Sequence, residues 1–280
     1  MPDGFDHCET LVREADKDRF VATLFASAPR RRALHALYAF NVELSRVREL
    51  AREPLPGEIR LQWWRDVLGG VRSGEAGPVA SALMATIIRY RLPLKVFEAM
   101  IEARSFDLYD DPMGSLAELE AYAEKTSSAL IALAAQILNE GNAPGLAEAA
   151  RHAGIAHAIA GLLAAFPVHS ARRQLYVPLD LMQRHGARPE DVFAATVTPG
   201  LKTALAELRE VARTHLLQVP IGGVPAALMP AFLPAALVAP TLKRLERGAD
   251  APFTPRPLPQ WRRQWLLWRA ARNPRRIVGV

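Results

Sequence analysis

The chain is short of the residues that build sheets and covalent staples. It has one cysteine, Cys8, in 280 residues. No disulfide can form within it, which fits a reducing compartment. Aromatic residues make up 7% and β-branched residues are sparse, while alanine and leucine dominate. That balance favours helix over strand. No segment alternates apolar and polar residues for long, so almost no sheet is expected. Solenoid-period repeats and low-complexity linkers are also missing. The first twenty residues, MPDGFDHCETLVREADKDRF, are acidic and lack an apolar run. They read as neither a secretory signal nor an Arg/Ser-rich transit peptide, which points to a cytoplasmic, bacterial-type protein or to a mature organellar form. Basic residues are spread along the chain without a recognised nucleic-acid module, so no nucleic-acid partner is expected.

Half of the residues are hydrophobic, enough to bury a sizeable core. Length leaves one large helical domain over residues 1–280 and two small ones equally open. The formal charge of +6 and pI near 9.8 suit nucleic acid, an anionic membrane surface or a diphosphate, and charge alone does not choose. Periodicity predicts helices at 7–28, 30–52, 56–73, 78–90, 93–109, 115–139, 145–166, 178–186, 189–193, 198–217, 224–247 and 257–272. Proline and glycine clusters at 29, 54–57, 74–78, 93, 112, 141–145 and 199–200 separate them.

Two stretches raise the question of a membrane. Residues 219–242 carry no charge but contain five prolines, which would leave backbone groups unsatisfied in lipid. A buried core helix or helix pair is favoured there over a membrane-contacting segment. At 257–272, Trp261, Trp265 and Trp268 share one helical face. Seven arginines and no acid follow Asp250. A basic helix with a tryptophan stripe is a membrane-interface pattern. The competing reading packs the stripe on the domain and leaves the arginines in water.

Residues 32–66 organise the rest. Ala33, Leu37, Phe40, Leu44, Val47 and Ala51 recur at helical steps and predict one buried stripe. Asn41, Ser45 and Glu49 lie at steps of four on another face. This stretch resembles part of the squalene/phytoene synthase superfamily. RRALHALYAF resembles the segment leading into that family's first aspartate-rich motif. LQWWRDVL resembles the Trp-rich helix after it, and MIEARSFDLY a helix ending in Asp107-Leu108. LAELEAYAEKTSSALIALAAQIL resembles the central Tyr-containing helix. AGIAHAIAGLLAAFPVHSARRQLYVPLDLMQRHG resembles the second aspartate-rich helix and its exit. The resemblance runs from about residue 19 to 268 and implies an all-α, isoprenoid-synthase-type bundle around a central cavity.

Joining prenyl diphosphates requires stabilising a departing diphosphate. Mg²⁺ held by carboxylates on facing helices does this, and a helix presents two carboxylates on one face only at i, i+3 or i, i+4. The first motif aligns on Ser45, Arg46 and Glu49, leaving one acid. The second aligns on Gly161, Ala164, Ala165 and His169, leaving none. The expectation is therefore degenerate motif positions, no catalytic residue, no metal and no cofactor. Asp107, Asp110 and Asp111 spell a DxxxD but read as helix-end and turn residues ahead of Pro112.

The aspartate-poor pattern, with FNVEL at 40–44, P-x-H-x-x-R-R at 167–173 and the terminal RRQWLLWR, resembles the branch containing mitochondrial complex I assembly factor 6 and its alphaproteobacterial relatives. That resemblance implies a non-catalytic assembly factor for respiratory NADH dehydrogenase, peripheral to the inner membrane, with complex I subunits or assembly intermediates as partners. The alternatives are an active head-to-head prenyltransferase using Mg²⁺, or an isoprenoid- or lipid-binding protein. Asn41 is a candidate for a cavity-facing role, and Arg46 a candidate cation for neutralising Glu49. Glu43 reads as a solvated or ion-paired residue, and Trp63 and Trp64 as core. Arg172, Arg173 and Tyr176 are candidates for holding a phosphate, a headgroup or a partner carboxylate. Trp261, Trp265 and Trp268 are candidates for membrane contact. His157 and His169 read as satisfied polar residues rather than ligands.

Overall fold

The computed structural model describes residues 4–50, 53–71 and 77–279. Ala51, the helix ends expected at 52 and 73, and residues 74–76 of the expected break lie outside them. Among the described residues there is no strand. The helices are α1 (Gly4–Ala15), α2 (Lys17–Thr23), α3 (Ala28–Ser45), α4 (Val47–Leu50), α5 (Pro54–Leu68), α6 (Pro78–Tyr90), α7 (Leu94–Ser105), α8 (Leu116–Ala123), α9 (Ala129–Leu138), α10 (Ala147–Ala171), α11 (Leu179–Arg184), α12 (Pro189–Phe193), α13 (Pro199–Leu217), α14 (Val238–Glu246) and α15 (Gln260–Arg272). They form two compact units, each assembled from three segments of sequence.

The first unit comprises Met1–Tyr109, Ala129–Ala147 and Gly223–Pro234. Its hub is α3, which packs on α1, α6 and α9 and also touches α2 and α7. A helix covered on several sides buries more than a stripe. Leu34, His35, Ala36, Tyr38 and Ala39 are buried along with Leu37 and Phe40. The single stripe expected from periodicity is therefore corrected to near-complete burial. The Phe40 ring meets Trp64 edge-on at 4.8 Å and Phe97 at 5.5 Å, which ties α3 to α5 and α7. Trp64 is fully buried. Trp63 is half-buried, with the Arg60 guanidinium 4.4 Å from its ring.

The helix expected to run through residue 52 breaks at Arg46. Ser45 Oγ donates to the Val42 carbonyl at 3.1 Å, a local bond that competes with the helical ladder. Asn41, Ser45 and Glu49 therefore do not share one continuous helix. A similar split at Asp16 divides the helix expected at 7–28. The Asp16 side chain caps α2 by accepting from the Arg19 backbone N–H.

The second unit comprises Asp110–Ser128, Glu148–Gly222 and Ala235–Val280. One helix was expected over 115–139, but a π-turn, Glu124–Ser128, separates α8 from α9. The turn lies against Gly154 of α10. A Cβ on Gly154 would sit 2.4 Å from the Ser128 backbone N, so only glycine permits this approach. Ser128 Oγ donates to the Arg151 carbonyl at 2.9 Å, and Arg151 pairs with Glu124 at 2.5 Å.

Helix α10 does not stop before Pro167 as expected but continues to Ala171. Pro167 lies inside the helix, where it removes one i→i−4 donor. By length and composition α10 is apolar enough to cross a membrane, yet half of its apolar window is buried. Residues 219–242 are neither one helix nor a pair. They form short 3₁₀ turns at Ile221–Gly223, Ala226–Ala231 and Leu233–Leu237 before α14 begins. The prolines remove the backbone donors a longer helix needs, while Leu228, Met229, Phe232, Leu233 and Leu237 remain buried.

Candidate functional site

The residues singled out by sequence fall in both units. In the first, Asn41 is buried on α3, while Ser45, Arg46 and Glu49 are exposed where α3 gives way to α4. Arg46 Nε lies 3.9 Å from Glu49 Oε2, with both side chains about half exposed. Such a pair contributes little to stability. Arg46 also lines a cleft of about 480 Å³, together with His7, Leu11, Val42, Glu43, Val47, Leu50, Pro56 and Arg60. Arg60 pairs with Glu43, so Glu43 is an interhelical ion-pair residue. The cleft has an apolar floor with two guanidinium groups and one carboxylate at its rim.

In the second unit, Gly161 is exposed, and a Cβ there would meet nothing within 4 Å. Ala164 is exposed and Ala165 half-buried. The small residues thus leave open space on this face of α10. At its C-terminal end the His169 ring lies 4.7 Å from Tyr176, and Tyr176 lies 6.1 Å from Tyr122. Arg173 takes a left-handed φ of 58°, ending the helix, and its guanidinium sits 4.7 Å from the Phe193 ring. Arg172 is exposed beside it. The two arginines are adjacent in sequence and both exposed.

A polar chain that no sequence spacing announces crosses the second unit. His152 Nδ1 and His215 Nδ1 are 2.9 Å apart. His215 Nε2 faces Glu120 Oε1 at 3.3 Å, and His152 Nε2 faces Glu148 at 3.5 Å. Burial, and then the facing His215, hold the His152 pKa below its ordinary value. One of the two Nδ1 atoms must donate and the other accept, so the pair excludes a doubly charged state. His152 and His215 are 63 positions apart, and only the packing of α10 on α13 joins them.

The family resemblance raised Mg²⁺ as the metal of the active alternative, and the donor groups test the fit. Ser45 directs its hydroxyl hydrogen to a carbonyl, Arg46 is a cation, and Glu49 stands next to that cation. Asp107 is buried and held by Arg104 at 3.0 Å, while Asp110 and Asp111 are exposed in a non-helical segment. Among the described residues no three His, Cys, Asp or Glu side chains are grouped to hold a metal ion. These groups do not fit a divalent cluster, which needs several hard oxygen donors at one point.

The sequence profile of squalene/phytoene synthase matches residues 12–269. The chain belongs to the squalene/phytoene synthase family. Among its relatives is NADH dehydrogenase (ubiquinone) complex I, assembly factor 6 of Rattus norvegicus, 32% identical over 251 residues, covering 88% of this chain and 75% of that protein. The Homo sapiens assembly factor 6 is 30% identical over 249 residues, covering 87% and 74%. Among solved structures, the squalene synthase HpnC from Alicyclobacillus acidocaldarius superposes with a TM-score of 0.78 at 22% identity, covering 89% of this chain and 95% of that one. At that identity the likeness carries the fold, and the all-α isoprenoid-synthase type is the fold of this family member.

Proposed function

We propose that this family member is a non-catalytic assembly factor for respiratory NADH dehydrogenase, peripheral to the inner membrane on its cytoplasmic or matrix face. Its partners are complex I subunits or assembly intermediates. The observation that carries this reading is the identity of about 30% to assembly factor 6 across nearly nine tenths of the chain. The donor groups at Ser45, Arg46 and Glu49 support it, because one carboxylate beside a guanidinium is a poor seat for the Mg²⁺ that diphosphate departure needs. What remains of the synthase is a shape. In this reading the cleft around Arg46 and Arg60 holds an isoprenoid, a lipid or a subunit segment.

The test is deletion of the gene in its own host and complementation with the wild-type chain. NADH dehydrogenase activity and the assembled complex should fall on deletion and return on complementation, with squalene and carotenoid levels unchanged. Unaltered complex I would overturn the assembly reading. In parallel, purified protein with farnesyl or geranylgeranyl diphosphate and Mg²⁺ should release no diphosphate above background. Robust release would establish the active prenyltransferase instead.

A further inference from the structure

The second unit carries a cavity that neither the family motifs nor the proposed function accounts for. It has a volume of about 300 Å³ and is lined by Lys243, Arg262, Arg269 and Arg276 over Ala239 and Leu266. Among the described residues no carboxylate lines it, and none of its four cations makes an ion pair. Some arginines elsewhere in the unit are matched, as Arg184 with Glu207 and Arg213 with Glu246. Four like charges around one concavity repel one another unless an anion joins them. Their geometry, a polar rim over an apolar wall, suits a phosphate joined to a hydrocarbon rather than a bare ion.

Helix α15 supplies the second observation. Its buried side carries Leu267 and Ala270. Arg262, Leu266 and Arg269, at helical steps, line the cavity. The adjacent stripe, Trp261, Trp265 and Trp268, is 69%, 47% and 44% exposed and faces away from the buried side. Arg269 lies 4.2 Å from the Trp265 ring and Arg272 4.0 Å from the Trp268 ring, so guanidinium groups cover part of the indole faces. Tryptophan beside arginine on an exposed helix is the composition that settles at the headgroup level of a bilayer.

We infer that the cavity between α14 and α15 binds the phosphate of an anionic phospholipid, while the tryptophan stripe enters the surrounding headgroup layer. The occupant is a lipid within a membrane. Charge complementarity and the continuity of cavity and tryptophan stripe on one helix select it. The inference rests on the membrane-surface reading of the proposed function. Cations near an anionic surface each contribute about fivefold in affinity.

The test is flotation of the full chain with vesicles of phosphatidylcholine alone and of phosphatidylcholine mixed with phosphatidylglycerol or cardiolipin. Binding should require the anionic lipid. The double variant Arg262→Gln with Arg276→Gln should weaken it about 30-fold. An equal charge change outside the cavity, Arg247→Gln with Arg275→Gln, should cost much less. Trp265→Ala with Trp268→Ala should reduce binding to anionic vesicles without removing their advantage over neutral ones. Equal losses for the two arginine pairs would overturn the cavity and leave a diffuse electrostatic contact. Binding indifferent to lipid charge would overturn the cavity while keeping the membrane reading, and no binding to any vesicle would overturn both. Inorganic phosphate separates the remaining source. If it binds the soluble chain and abolishes flotation at equimolar amounts with lipid phosphate, the ligand is a free anion and the inference fails. Circular dichroism of each variant should match wild type.

Discussion

Acidification offers a direct probe of how the first unit is held together. His35 is fully buried on α3. Its Nε2 is 2.8 Å from Thr23 Oγ1, and its ring stacks on Phe20 at 5.6 Å. Burial, opposed by the Glu9 carboxylate and reinforced by Arg31, lowers its pKa from 6.5 to about 4. The unfolded chain therefore binds a proton between those values that the folded chain refuses. Stability from the neutral ring is complete above about pH 6.5 and is lost as pH falls toward 4. At about pH 5 the linkage amounts to roughly 2 kcal/mol. The assay is urea unfolding, followed by circular dichroism at about pH 7.5 and about pH 5, of wild type and His35→Gln. Glutamine keeps a polar partner for Thr23 but cannot titrate. Wild type should lose about 2 kcal/mol more than the variant on acidification. Parallel losses would refute the assignment, whatever the variant's stability at neutral pH.

Other consequences of the packing are as easily checked. Gly154→Ala places a methyl group 2.3 Å from the Ser128 Cα, so α10 or the π-turn must move; thermal melts should show a loss of about 1–3 kcal/mol or more. Phe40→Ala removes the ring between Trp64 and Phe97 and should lose about 3–5 kcal/mol by denaturant unfolding. Glu49→Ala, by contrast, breaks the exposed pair with Arg46 and should change stability by less than about 1 kcal/mol. In an NMR titration, His152 should protonate below the ordinary histidine value, and His215→Phe should raise its midpoint, since the facing imidazole helps hold it down.

The helical class, and most helix positions, could be read from the chain because proline and glycine mark its breaks openly. The breaks within helices could not. At the end of α3 the Ser45 hydroxyl donates to the Val42 carbonyl, and the π-turn at Glu124–Ser128 lies tight against Gly154 of α10. Periodicity sees neither event. Burial around the whole of α3 was equally hidden, since a hub helix is set by how many neighbours surround it. In the site, Arg46 and Glu49 do lie within ion-pair reach as expected. The contact of Arg173 with Phe193, beside a left-handed turn, was also not legible in the tandem of Arg172 and Arg173. The His152–His215 contact joins residues 63 positions apart, where no spacing rule reaches.

The interleaving of the two units bears on how the protein is made. The first unit is left at Tyr109, re-entered at Ala129, left at Ala147 and closed only by Gly223–Pro234. That last segment brings the buried Leu228, Met229, Phe232 and Leu233, and its turn at Ala226–Ala231 packs on α9. A ribosome adding roughly 5–20 residues per second needs about 6–25 s to travel from the first exit to the final segment. For roughly 5–19 s of it α9, complete at Leu138, waits for the turn that packs on it. A cut at residue 109 would leave the first unit without two of its three segments.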